Sequence, residues 1–313
     1  MGFYVGTSGF SYKEWKGAFY PEKIKPAEML AWYAERLTAV EINNTFYRMP
    51  KTSIVESWAM EVSETFRFII KASRRITHFK RLKEPEEPLE FLLAATDKLG
   101  PRLGVILFQL PPNMRCDLER MQTFLGHLLR GTPVSFEFRH ESWFNEETYQ
   151  LLRDRNIALC HADSEENALP FVSTADWGYL RLRQPSYSPA DLAAWLERIA
   201  DAGWRDSYVF FKHEDEAAGP AMAKDFMATV DAQQRAGARE RTRSGRFGSD
   251  HATKLVGVVS AGFRVRPGKL VGDPLERRVG GYGYIMHAAK PGDFAIQKVC
   301  LDGTCTAEQA LPG

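Results

Sequence analysis

Short apolar-rich runs alternate with stretches of helical period along the first three quarters of the chain. Phe3–Thr7, Ala39–Asn43, Phe66–Lys71, Leu103–Gln109, Val134–Arg139, Ile157–Asp163, Tyr179–Arg183 and Tyr208–Lys212 have the length and the β-branched and aromatic content of strands. Between most of them the apolar spacing changes to three and four. Pro26 stands where it opens a helix bearing Leu30, Tyr33 and Leu37, and Asp117 where it caps one bearing Leu118, Met121, Leu125 and Leu128. Ser188 to Asp191 reads as a capping box for a helix with Leu192, Trp195 and Ile199. Eight strands separated by helices predict a parallel sheet, and eight such units close into a (β/α)8 TIM-like barrel. One unit is defective: Ser164–Asp176 holds Pro170 and no helical period, so the sixth helix is expected to be shortened or missing.

Past Ala232 the pattern gives way to a basic, Gly-rich stretch. The expected division is therefore a barrel domain over residues 1–232 and a poorly ordered, flexible tail over 233–313. With 313 residues, 44% of them hydrophobic, the chain has enough apolar surface for a large core, and disorder throughout is excluded. No stretch approaches the roughly 20 apolar residues of a membrane span, and the start lacks the basic and apolar segments of a signal peptide. A cytoplasmic protein with no membrane partner is expected. From Arg235 onward there are 13 Lys/Arg against 7 Asp/Glu, so the preceding part carries −5 although the whole chain is +1. That balance argues against nucleic-acid binding by the entire barrel surface and leaves room for a local basic mouth. Four cysteines are too few and scattered for a disulfide framework, and Cys300 and Cys305 lack the second pair or histidine of a zinc site.

Strand parity then selects candidate site residues. Apolar strand residues pack outward on helices, so polar alternates near the carboxyl ends point to the mouth, where barrel enzymes place their chemistry. In Val40–Asn43 this leaves Glu41 and Asn43 on one face; in Val134–Arg139 it leaves Ser135, Glu137 and Arg139. Thr7 ends the first strand, Lys71 the third, Gln109 the fourth, His161 and Asp163 the sixth, Arg181 and Arg183 the seventh, and Lys212 the eighth. Tyr12, Trp15, Tyr47 and Trp143, in loops after strands one, two and five, are placed as an aromatic wall for a sugar or base. The run from Lys71 to Arg81, with Arg74, Arg75 and His78, is the most basic part of the barrel.

Several of these residues fall in a set of specific runs: Gly6-Thr7-Ser8-Gly9-Phe10-Ser11-Tyr12, Phe19-Tyr20-Pro21, Val40 through Pro50, Lys71 with Thr77-His78, Gln109-Leu110-Pro111-Pro112, and Glu137-Phe138-Arg139 with Trp143. Over residues 1–232 the chain resembles the YecE-like family, domain of unknown function 72. The resemblance implies a TIM-like barrel and carries no established reaction with it. After the seventh strand that family often shows Arg-x-His-Gly, whereas this chain has Arg181-Leu182-Arg183-Gln184. Arg181 matches; a role for the histidine does not carry over.

The leading expectation is an enzyme acting on a phosphorylated or nucleic-acid-like substrate. Lys71, Arg139, Arg181 and Lys212 would hold anionic oxygens, arginine by its bidentate fork and lysine as a point charge. Glu41 and Glu137 would act as general acid and base, with Asn43, His78 and Asp163 beside them. Tyr12, Trp15, Tyr47, Arg48, Gln109, Thr7 and Trp143 would complete the substrate site. One alternative is a non-catalytic binder of single-stranded nucleic acid or an anionic metabolite, stacking bases on the loop aromatics with Arg48, Arg74 and Arg75 on phosphates. The other is a glycoside hydrolase, which the many cations disfavour. No cofactor is predicted; a divalent metal shared by Glu41, Glu137, His78, His161 and Asp163 is a lesser option without a compact ligand motif. The chain lacks the dinucleotide and P-loop fingerprints and the nucleophile elbow of serine hydrolases.

Overall fold

In the computed structural model, residues 1–163, 170–212, 217–246, 282–290 and 293–300 are described. Eight parallel strands close into a barrel in sequence order: β1 (Gly2–Ser8), β2 (Ala39–Ile42), β3 (Arg67–Lys71), β4 (Leu103–Gln109), β5 (Val134–Glu137), β6 (Ala158–Ala162), β7 (Trp177–Leu182) and β8 (Asp206–Phe211), with β1 pairing β8. Around it lie α1 (Met29–Ala34), α2 (Thr52–Glu61), α3 (Glu86–Asp97), α4 (Leu118–Gly126), α5 (Glu146–Arg153), α6 (Pro189–Asp201) and α7 (Ala218–Arg246). The expected barrel is therefore present. Asp117 caps α4 by accepting from Arg120 N at 3.0 Å, and Ser188 and Asp191 form a reciprocal capping box on α6. Between β6 and β7 the described residues 170–176 hold no helix, in keeping with the expected defect; residues 164–169 lie outside the described ones.

Parity separates two apolar layers. One alternate set, including Ala39, Ile69, Leu107, Cys160, Tyr179 and Phe210, forms the interior cluster. The other, including Val40, Phe68, Phe108, Phe136, Leu180 and Phe211, joins the larger core beneath the helices. Each such fully buried side chain contributes on the order of 1.5–3 kcal/mol, so the pattern fixes the barrel's register as well as its stability. Gly6 marks a point of close approach: a Cβ there would lie 1.8 Å from Ala39 O and 2.8 Å from Tyr33 OH. Without one, Tyr33 OH accepts from Thr7 N at 2.8 Å and donates to Ala39 O at 3.0 Å, pinning α1 to the β1–β2 seam.

Helix α7 runs to Arg246, past the boundary expected at Ala232, and the compact unit spans Met1–Phe247. The apolar stripe fades near Val230, but the Gln, Ala, Arg and Glu that follow are adequate helix formers without it. The expected flexible tail falls mostly on residues outside the described ones, Cys305 among them. Two segments of it are strands, β9 (Tyr282–Lys290) and β10 (Asp293–Cys300), paired antiparallel with Ile296 opposite Met286. Among the described residues no helix is long and apolar enough to cross a membrane.

Candidate active site

Interior-facing parity carries Glu41 on β2, Lys71 on β3, Gln109 on β4, Glu137 on β5 and Arg181 on β7 to the carboxyl end of the barrel. They form two levels. The lower one is sealed: Glu41, Glu137 and Arg181 are 0%, 1% and 3% exposed. Arg181 bridges the two carboxylates, donating from Nη2 to Glu41 Oε1 at 2.6 Å and from Nη1 to Glu137 Oε2 at 2.5 Å. Glu41 Oε1 also accepts from Ser8 Oγ at 2.8 Å and Asn43 Nδ2 at 2.9 Å, and its Oε2 from Tyr179 OH at 2.6 Å. Glu137 Oε1 accepts from Arg183 Nη2 at 3.0 Å and Arg139 Nε at 3.1 Å.

Burial opposes ionisation of both acids, and the guanidiniums overcome it. For Glu41 the Arg181 charge and the Tyr179, Arg181 and Ser8 hydrogen bonds hold the carboxyl below its ordinary value. For Glu137 the charges of Arg181, Arg183 and Arg139 hold it far below. Two ionised carboxylates saturated with donors make weak bases and have no proton to give. In this geometry the two carboxylates hold Arg181 between them rather than facing solvent as a free acid and base.

The upper level meets solvent. Arg139 and Arg183 keep 38% and 21% of their side chains exposed while holding Glu137. Lys71 is half-buried, with Nζ 4.4 Å from the centre of the Phe46 ring. Among the described residues it forms no ion pair, since the nearby carboxylates are engaged by arginines. Burial and the Arg181 charge, opposed in part by Glu41 and Glu137, bring its ammonium down to about 8. His78 sits in the π-helical turn Arg75–Phe79, edge-on to the same Phe46 ring at 4.9 Å, its Nδ1 2.9 Å from Thr77 Oγ1. Burial and the neighbouring Lys71 and Arg139 charges lower its pKa, which keeps it neutral near pH 7. Asn43, having given Nδ2 to Glu41, leaves Oδ1 buried without a hydrogen-bond partner.

The other sequence-selected residues scatter. Thr7 faces the helices and bonds Tyr33 OH at 2.9 Å and Gly9 O at 2.6 Å, so Ser8, one residue on, is the β1 contribution to the mouth. Trp15 and Trp143 are 1% and 0% exposed and belong to the core: Trp143 stacks on Phe138 at 4.7 Å and donates to Met114 O at 2.8 Å. Neither is a wall of the pocket. Tyr12 packs on Trp15 at 4.7 Å and donates to Ser8 O at 2.7 Å, closing over the end of β1. Gln109 is buried in register with Glu137. Asp163 accepts from Tyr187 OH at 2.6 Å and from the Arg183 main chain, bracing the β7 end. Lys212 is exposed, its backbone N bonded to Leu182 O at 3.0 Å.

His161 is on the helix-facing side of β6, stacked on Phe171 at 4.4 Å, and burial lowers its pKa to about 4 despite hydrogen bonds to the backbone. It does not join the mouth. Among the described residues no group of three or more His, Cys, Asp or Glu is arranged to hold a metal ion. Tyr47 and Arg48 are exposed and line a cleft of about 650 Å³ with Met49, Ser73, Arg75, Glu87 and Phe91, between the loops after β2 and β3 and helix α3. At its edge Arg74 lies over two rings, 5.3 Å from Tyr47 and 5.2 Å from Phe79. Sequence parity selects Glu41, Asn43, Lys71, Gln109, Glu137, Arg139, Arg181 and Arg183 but not Ser8 and Tyr179 as site residues, since their roles appear only when β1, β2 and β7 are brought together.

Fold and site together define a (β/α)8 barrel protein whose carboxyl-terminal mouth is built on an arginine-bridged pair of buried glutamates. The chain belongs to the family described as Protein of unknown function DUF72, whose model matches residues 4–245. It is 30% identical over 155 residues to UPF0759 protein YunF of Bacillus subtilis, covering 47% of this chain and 54% of that protein. Against UPF0759 protein YecE of Escherichia coli K12 the identity is 29% over 156 residues, covering 48% and 54%. The chain thus spans about half the length of the curated relatives it matches. A DUF72 family protein of Thermotoga maritima superposes with a TM-score of 0.64 at 27% identity, covering 74% of this chain and 100% of that one. One of Enterococcus faecalis gives 0.58 at 18% identity, covering 74% and 98%, and is similar in fold.

Proposed function

We propose that this protein is an enzyme acting on a phosphorylated or similarly anionic substrate bound at the solvent-facing level of the mouth. One observation carries the reading: four cations, Lys71, Arg139, Arg181 and Arg183, gather around the buried carboxylates Glu41 and Glu137. Positive charge converging on a partly dried concavity attracts anions and strengthens each contact once water is displaced. The roles divide by level. Glu41 and Glu137 hold Arg181, and Glu137 orients Arg139 and Arg183; the latter two with the Lys71 ammonium take the anionic oxygens; His78, neutral near pH 7, and Lys71, which shares its proton with solvent around pH 8, are the groups able to move a proton. This shifts acid–base work from the carboxylates to the amine and imidazole.

Titration of inorganic phosphate into the full chain by calorimetry tests the reading. Arg139→Ala removes a charged, solvent-facing contact worth roughly 1.5–3 kcal/mol, so affinity is expected to fall about ten- to a hundredfold. A wild-type chain that binds no phosphate, or a variant that binds it equally, removes the proposal.

A second reading is favoured by the cleft edge. Exposed Tyr47 and Phe79 with Arg74 between them present stacking faces and a cation together, an arrangement suited to capture of single-stranded nucleic acid. Under it, the logarithm of oligonucleotide affinity falls linearly with the logarithm of salt, and the affinity drops in Tyr47→Ala.

A further inference from the structure

The lysine on β3 differs from a charge that merely fills the barrel's upper layer. Its neighbour in parity, Ile69, lies in the interior cluster, so the strand carries Lys71 into the mouth rather than out to the helices. Phe46 covers its Nζ at 4.4 Å and shuts water from one side. Below it, both carboxylates are held by arginines, leaving Lys71 with no ion pair among the described residues. Arg181 and Arg139 repel its positive charge. Desolvation beside another cation is the arrangement that frees a lysine lone pair for attack on carbonyl carbon.

We propose that Lys71 is an amine nucleophile that forms a Schiff base with the carbonyl of a phosphorylated aldehyde or ketone. The amine nitrogen attacks the carbonyl carbon, the carbonyl oxygen leaves as water with the two amine protons, and a C=N bond remains, with no change of oxidation state. Arg139 and Arg183, partly exposed just past the carboxyl ends of β5 and β7 across the mouth, take the phosphate. With its pKa at about 8, roughly a quarter of Lys71 is free amine at pH 7.5, against about one part in a thousand for an ordinary lysine. The phosphate half of this assignment rests on the anionic-substrate reading above; the amine half stands on the geometry of Lys71.

The test incubates the full chain with glyceraldehyde 3-phosphate, and separately with glyceraldehyde, in the presence of cyanoborohydride at pH 7.5, and maps reduced adducts by peptide mass spectrometry. Lys71 is expected to be labelled on the order of tenfold faster than exposed Lys51 and Lys83, faster with the phosphorylated aldehyde, and Lys71→Arg to lose the fast adduct. Labelling of Lys71 at the surface rate overturns the proposal, and if inorganic phosphate still binds through Arg139 the anion site survives without the nucleophile. Fast labelling by both aldehydes alike upholds the Schiff base and removes the phosphate reading.

Discussion

Tyr179 donates its hydroxyl to Glu41 Oε2 at 2.6 Å from within an interior otherwise filled by mostly apolar side chains. Burial and the adjacent carboxylate push the Tyr179 hydroxyl well above its ordinary pKa, so it remains a donor. Tyr179→Phe keeps the ring and leaves a buried carboxylate oxygen without that proton. The expected cost is about 1–3 kcal/mol, read as a lower urea midpoint with an unchanged slope. An unshifted midpoint would show that the remaining donors on Glu41 suffice.

Acid should unfold the protein through the same layer. Glu137 titrates lower in the folded chain than in the unfolded one, because Arg181, Arg183 and Arg139 outweigh the effect of burial. As pH falls, the unfolded chain therefore binds its proton first. The stabilisation is complete above the ordinary glutamate range near ~4.3 and is lost progressively below it. Glu137→Gln is expected to cost about 3–5 kcal/mol at pH 7, by stripping three guanidiniums of a shared partner, and to flatten the decline in stability between pH 6 and 3. Parallel pH profiles for the two proteins would contradict this.

The barrel was legible because its strands alternate: Val40, Ile42, Val134 and Phe136 mark one face so clearly that Glu41 and Glu137 are placed by default on the other. Parity failed where polarity does not alternate with burial. In Gly6-Thr7-Ser8 no apolar residue marks a face, so parity does not separate Thr7, which bonds Tyr33 beneath the helices, from Ser8, which bonds Glu41 in the mouth. On β6 both faces are buried, and the ring of His161 packs as an apolar body while its polarity reads as a mouth residue. Trp15 and Trp143 failed for a related reason: a large aromatic after a strand has the same sequence signature whether it lines a pocket or plugs a core. The Arg181 bridge joins residues 140 and 44 positions apart, a distance no local pattern reports.

Two aromatic substitutions separate core from rim. Trp143→Phe loses the indole donor to Met114 O and part of the stack on Phe138, which is expected to cost roughly 1–3 kcal/mol of stability with oligonucleotide affinity unchanged. Tyr47, 67% exposed, should behave oppositely: Tyr47→Ala is expected to leave stability within about 0.5 kcal/mol and to weaken single-stranded oligonucleotide binding about tenfold. Thermal unfolding and fluorescence anisotropy on both variants decide the matter, and a reversed pattern would move the ligand from the cleft to the core side of the loop.

The charge of Lys71 gives anion binding a defined pH dependence. Around the mouth, guanidinium groups keep their charge up to pH 9, Glu41 and Glu137 are held ionised by Arg181, and His78, lowered by burial and by Lys71, is neutral above pH 7. Lys71, at about 8, is therefore the group among those described there that changes charge between pH 7 and 9. Sulfate is a suitable probe, since its own charge is constant over this range. A bound anion favours the ammonium and raises its pKa, so by linkage affinity must fall as pH rises through about 8. The expected loss from pH 7 to 9 is about three- to tenfold, the share of one among several cations. Lys71→Met should bind more weakly at pH 7 and show no such fall. A flat wild-type profile, or the same decline in the variant, would mean that the anion is held elsewhere than over Lys71.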